Sequence, residues 1–346
     1  MKSNPLLILL ATIVVTLTST ALAAAATTCT FTTVKKTMTL NGDCTTDTSI
    51  MVPSGFTLDG AGHTITAHDP ISGHFQGGVI QNGGATANVT NVTVTTSGLV
   101  EFCDTAPATR LRGILFDGAS GSITDTNVTN ITHLGASCAD EGNAIEVRNF
   151  GSSLTTIRVR IDGNTVTGYQ KGGIIVNGNA DASITDNVVD GLAPDAVIVR
   201  NGIQLGFGAT GMVKRNLVSN NEYTGPENFS SAGILLVAGP FFLNSPYSVG
   251  SQIDQNTIRE NDVGVWVVEA PDDVSAPSTM TNVKVVNNTI SKAGSTNPYQ
   301  AGVSDVGNND KIIANRISGA GYAPALGVEV DADPSFTNRA KVHANK

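Results

Sequence analysis

The stretch GIIVNGNADASITDNVVDG, residues 173–191, contains both phrases from which the fold can be read. The first is a small residue followed by an aliphatic run, Gly173 and then Ile174, Ile175 and Val176. The second is Asn187 followed by Val188 and Val189, entered through the alternation Ser183, Ile184, Thr185. A period of two marks a strand, and a short aliphatic run bounded by turn residues fits a buried one. Asn tolerates left-handed φ and hydrogen-bonds nearby backbone, so Asn187 reads as the turn between strands.

Both phrases recur. The first returns as GVIQ at Gly78, GILFD at Gly113, AIEVR at Ala144, GIQLG at Gly202, GILLV at Gly233, GVWVV at Gly264, GVSDV at Gly302 and GVEVD at Gly327, at intervals of 25 to 38 residues. The second returns between them at Asn127, Asn164, Asn216, Asn256, Asn288 and Asn315. Recurrence on this scale marks a repeat architecture whose units cannot bury their apolar face alone. One buried Asn per unit, at an equivalent turn, would bond to its copies above and below as a ladder. Antiparallel sandwiches and propellers should instead show Asn-Gly or Asp-Gly turns at short spacing; a few occur, but the dominant period is that of a whole coil.

Together these phrases resemble right-handed parallel β-helix proteins of the pectin-lyase-like superfamily over about residues 50 to 345. The resemblance implies an all-β solenoid of about nine or ten coils, each with three short strands, stacked at roughly 4.8 Å around one aliphatic core. VPSGFTLDGAGHTITA, residues 52–67, looks like the opening coil of that superfamily. The preceding CTFTTVKKTMTLNGDC, residues 29–44, would then belong to an N-terminal cap at about 24–50.

Composition agrees with strands and turns. Only 14% of residues are charged, against roughly 25% in ordinary soluble domains, which disfavours a helical bundle. The net charge of −9, with no Lys/Arg stripe, argues against nucleic acid or an anionic membrane as partner. Lys2, the apolar run Leu6 to Leu17 and the small residues Ala21 and Ala23 read as a signal peptide over 1–23, too short to span a bilayer as a free helix. The expectation is a secreted or periplasmic monomer with a single domain over 24–346. Four cysteines in an exported chain read as two disulfides with three connectivities open. The pairing expected is Cys29 with Cys44, close in sequence, and Cys103 with Cys138, in the loops of neighbouring repeats.

Strand alternation places side chains. One and three positions after the small residue should face inward: Ile114 and Phe116, Ile145 and Val147, Ile174 and Val176, Ile203 and Leu205, Ile234 and Leu236, Val265 and Val267, Val328 and Val330. Asp305 falls in this inward set, and a local bulge is the expected explanation. Two and four positions after should face solvent, giving Leu115 and Asp117, Glu146 and Arg148, Ile175 and Asn177, Gln204 and Gly206, Leu235 and Val237, Trp266 and Val268, Ser304 and Val306, Glu329 and Asp331. The resemblance implies that this outer face floors an elongated groove, walled by the long loops 97–110, 133–143, 218–231, 238–251 and 269–282. Aromatics beside polar groups suit saccharide rings. The expected partner is a polysaccharide, processed by lyase, epimerase or glycoside hydrolase chemistry, with a non-catalytic binding or adhesion module as the alternative.

The candidate catalytic residues are Asp117, Glu146, Arg148 and Gln204, and the candidate substrate contacts are Lys171, Asn177, Arg200 and Trp266. Neighbouring carboxylates could serve as acid and base, and a cation could neutralise a uronate during proton abstraction. The bland alternative is a salt-bridge ladder along the sheet, Glu146 with Arg148 and Asp117 with Arg112. The superfamily's known catalytic motifs are absent: Asp272-Asp273 lacks the companions of the polygalacturonase set, and His68-Asp69-Pro70 has the wrong order for the epimerase one. No catalytic residue is therefore carried over from the resemblance. His63, His68 and His74 gather near Asp69, but solvated histidines are the ordinary outcome there and no metal site is assigned. The cofactor stays open, with Ca²⁺ the one ion kept for testing.

Overall fold

The computed structural model describes residues 27–151, 155–272, 277–295, 300–322, 327–330, 341–343 and 345. The leader expected over 1–23 and the outward positions Glu329 (side chain) and Asp331 lie outside the described residues, as does Asp273. The chain winds through three sheets of parallel strands. The first sheet has ten strands, from Ile50–Val52 to Val328–Val330; the second has twelve, from Phe31–Val34 to Lys341–His343; the third has ten, from Cys44–Thr46 to Arg316–Ser318. Successive strands in the chain go to successive sheets, so each strand pairs with its counterpart one coil away. The exception is Phe31–Val34, which runs antiparallel to Thr37–Leu40 at one end of the second sheet.

The repeated small residue has a steric cause. A Cβ on Gly173 would lie 2.5 Å from the carbonyl oxygen of Gly202 in the next coil and 2.4 Å from Val189 in the core. Behind it the inward positions line up coil on coil, Ile114, Ile145, Ile174, Ile203, Ile234, Val265, Val303 and Val328. Each buried aliphatic of this stack contributes about 1.5–3 kcal/mol of transfer free energy, realised only when the coils above and below are in place.

The asparagine ladder is present, with a shifted start. Asn164, Asn187, Asn216, Asn256, Asn288, Asn315 and Asn345 form it, each Nδ2 donating to the next Oδ1 at 2.8–3.0 Å. Asn127 is not a member: it lies in the strand Asn127–Thr129, and Thr126 heads the ladder by donating its N–H and Oγ1 to Asn164 Oδ1. The left-handed φ expected of the Asn belongs to the residue before it, Asp186, Arg215, Gln255, Asn287 and Ala314, at 55–59°. The turn needs two residues, one to reverse the backbone and one to satisfy it. A second, shorter pair, Asn221 to Asn261, is headed by the Tyr169 hydroxyl.

Asp305 does not sit on a bulge. Its strand Ala301–Val306 keeps register on both sides, Val267 with Asp305 and Asp305 with Val330. The carboxyl is fully buried and faces the buried Asp310 carboxyl. Fully buried Glu269 lies near, accepting from Ser248 N at 3.0 Å. Burial lifts Glu269 from 4.5 to about 8, and raises Asp310 as well. An acid raised on folding holds its proton longer in the native state, so its contribution is intact below the unfolded pKa and is lost as pH climbs through the folded one. Stability should fall between about pH 4.5 and 8. Glu269→Gln should flatten that fall and stabilise the protein at pH 7 by about 2–3 kcal/mol, read from urea midpoints across pH. An unchanged pH profile in the variant would refute the assignment.

Candidate functional site

The polar cluster lies on the outer face of the first sheet, and the structure adds a cover that strand alternation does not reveal. Loops 97–110 and 133–142 arise from adjacent coils and are joined by the Cys103–Cys138 disulfide; Cys29 pairs with Cys44. Pro107 O accepts from Arg148 Nη1 at 2.9 Å, and Asp140 O accepts from Arg112 Nη1 at 3.1 Å, so the loops are bonded directly to the sheet. Glu141, buried in this cover, accepts the N–H groups of Asp104 and Leu111, and burial raises its pKa. Of the outer-face residues expected to meet solvent, Leu115, Glu146, Arg148, Ile175, Asn177, Gly206 and Ser304 are buried.

Beneath that cover the shortest charge pairs run across coils. Arg112 Nε donates to Glu146 Oε2, and Asn143 Nδ2 adds a bond to the same oxygen at 2.8 Å. Arg148 Nη2 donates to Asp117 Oδ2 at 2.7 Å, and Arg148 Nη1 lies 3.8 Å from Glu146 Oε1. Of the expected pairs, Glu146 with Arg148 is present as the longer contact, whereas Asp117 takes Arg148, in register with it on the next strand, and not Arg112, five residues away on its own strand. Asp117 alone among these charges remains open, with 45% of its side chain exposed. Its backbone is clamped by Asn82, whose Oδ1 accepts the Asp117 N–H at 2.7 Å.

Beyond Asp117 and Arg148 the strip becomes neutral. Asn177 follows Arg148 in register, and its Oδ1 accepts from Gln204 Nε2 at 2.9 Å; Asn201 Nδ2 donates to Gln204 Oε1 at 3.2 Å. Gln204 is succeeded by Leu235 and then Trp266, all half-buried. Gly206 beside Asn177 leaves room for this pair, since a Cβ there would lie 2.3 Å from Asn177 Oδ1. Lys171 and Arg200 are engaged elsewhere. Lys171 Nζ donates to Val199 O at 2.7 Å, with its pKa lowered by burial, and Arg200 binds Asp195 and the carbonyls of Gly191 and Ala193. Both hold the loop 191–200.

The residues missed by strand reading are Asn143 and Asn201, one position before the small residue. Strict alternation assigns them the inward parity, and the bond of Asn143 to Glu146 shows that the alternation breaks at the small residue. Near the loop cover, His74 Nε2 bonds Asp104 at 2.9 Å and stacks on Phe102 at 3.9 Å, while His63 lies 3.3 Å from Asp43. Among the described residues no helix is long and apolar enough to cross a membrane.

Stacked parallel strands, an asparagine ladder and a loop-covered outer strip define a class before any comparison. The right-handed β-helix family model matches residues 112–318, and the chain belongs to that family. No curated protein matches the sequence. Among solved structures the Dettilon tailspike protein is similar at 17% identity and a TM-score of 0.48, over 89% of this chain and 61% of that one. The periplasmic alginate epimerase AlgG is similar at 13% identity and a TM-score of 0.41, over 91% of this chain and 79% of that one. This chain therefore spans about 61% of the tailspike's length.

Proposed function

We propose that the protein binds a polysaccharide along the outer face of the first sheet, through Asn177, Gln204 and Trp266, and holds the chain without cleaving it. The observation that carries this reading is the state of Glu146. The carboxylate that an acid–base mechanism would use is buried, bonded to Arg112 and Asn143, and closed over by a disulfide-linked loop pair. What the strip offers toward solvent is the half-buried Gln204, its amide held by buried Asn177, leading to half-buried Trp266, which suits sugar hydroxyls and an apolar ring face respectively. Two disulfides suit an exported protein, secreted or periplasmic.

A second reading keeps the catalytic set Asp117, Glu146, Arg148 and Gln204, and one observation favours it. Asp117 is half-open to solvent while its partner Arg148 is buried and fixed, so a uronate displacing Asp117 would meet a preplaced guanidinium. The readings separate by mutation. Under the binding reading Gln204→Ala and Trp266→Ala each weaken polysaccharide affinity about tenfold with unchanged melting temperature, by isothermal titration. Unaltered affinity in both variants would reject the strip as the binding surface. Measurable turnover abolished by Asp117→Asn would favour the second reading.

A further inference from the structure

Where the strands Asn143–Asn149, Gly172–Gly178 and Asn201–Gly206 leave the first sheet, a groove of about 570 Å³ opens against the loop that follows Ala232–Ala238. Phe150, Phe207 and Leu243 supply its apolar surface, and Asn149, Asn179 and Asn244 its amides. The Phe150 and Phe207 rings lie 6.0 Å apart and tilted by 54°, although their coils are separated by one other. The intervening coil passes on Gly178, at φ +82, where a Cβ would strike Asn149 O at 2.3 Å. Asn149 Nδ2 donates to Thr155 O and to Asn179 O at 2.7 Å, which fixes this wall.

Three groove residues hold left-handed backbone without being glycine: Phe207 at φ 56, Leu243 at 57 and Asn244 at 53. Asn does so readily, whereas Phe and Leu are strained there. Core packing does not offset the strain at Leu243, which is 78% exposed, and Phe150 opposite is 50% exposed. Strained backbone that presents bulky apolar side chains to water is a feature of ligand sites. Every ionisable side chain is missing from the described lining, so the ligand is uncharged. Two phenyl rings, a leucine and an amide rim match the apolar face and the hydroxyl edge of a sugar ring.

We propose that this groove is a binding site for a neutral saccharide, distinct from the outer strip, whose Gln204 and Trp266 do not line it. The decisive variant is Leu243→Gly. Glycine relieves left-handed strain, so a site kept for a ligand loses affinity while stability stays level or rises. The test is titration of the full chain with neutral gluco-, manno-, galacto- and xylo-hexasaccharides, alongside thermal melts. Measured in the Gln204→Ala/Trp266→Ala background, which removes the strip's contribution, the expected result is binding of at least one of them, about tenfold weaker on adding Phe150→Ala and several-fold weaker on adding Leu243→Gly. The proposal is overturned if no neutral hexasaccharide binds, if the groove variants bind as that background does, or if the strip variants abolish the same binding. It is overturned too if Leu243→Gly lowers the melting temperature, since Leu243 would then be a packing residue.

Discussion

Asn216→Ala should destabilise the protein by about 3–4 kcal/mol, more than an exposed Asn substitution by an order of magnitude. Asn216 is 1% exposed and makes four side-chain bonds: its Oδ1 accepts from Asn187 N and Nδ2, each at 2.9 Å, and its Nδ2 donates to Ile184 O and Asn256 Oδ1, each at 3.0 Å. Alanine leaves the Asn187 N–H, one Asn187 amide hydrogen and the Ile184 carbonyl buried without partners. Each such group costs about 1–3 kcal/mol, reduced where a water enters the vacated space. Asn315→Ala should cost about half as much, because its outer neighbour Asn345 is only part-buried. Urea unfolding reads the difference, and a loss under about 1 kcal/mol for Asn216→Ala would show that the ladder does not hold the coils.

Arg112→Ala should cost about 3–5 kcal/mol, because it removes the shortest ion pair of the buried Glu146 carboxylate and leaves it Asn143 and the longer contact to Arg148. The more informative variant replaces both partners. Glu146 stands in register between Leu115 and Ile175, so Arg112→Met with Glu146→Leu continues an aliphatic row. Buried ion pairs are often replaceable by apolar residues of similar volume, and the double variant should recover to within about 1–2 kcal/mol of wild type. Polysaccharide affinity should survive in it, since Asn177, Gln204 and Trp266 are untouched. A double variant as unstable as Arg112→Ala would show that the pair has a structural role beyond mutual neutralisation.

The stacking of coils was legible because one steric rule, a small residue where the next coil's carbonyl approaches, repeats with every turn. The inward aliphatic positions followed from it directly. The ladder's phase was harder to read: Asn127 and Asn164 both precede a Val-containing strand, and only the register shows that Thr126, not Asn127, matches Asn164. Asp305 was placed inward correctly, but sequence could not reveal a carboxyl partner five residues on at the next corner. The loop cover was least legible. Strand periodicity gives the direction of Glu146 and Arg148, whereas their burial depends on loops from two coils and the disulfide between them. Phe150 and Phe207 escaped notice because each stands just past its strand, where alternation has ended.

The most direct test of the central claim is to titrate the purified protein with acidic and neutral polysaccharides, with and without Ca²⁺, following affinity, ultraviolet absorbance and reducing ends in the same samples. Binding with neither unsaturated products nor new reducing ends is the expected result. New absorbance or new reducing ends would contradict it and return Asp117 and Arg148 to a catalytic role, and absence of binding to every polysaccharide would remove the outer strip as a carbohydrate surface.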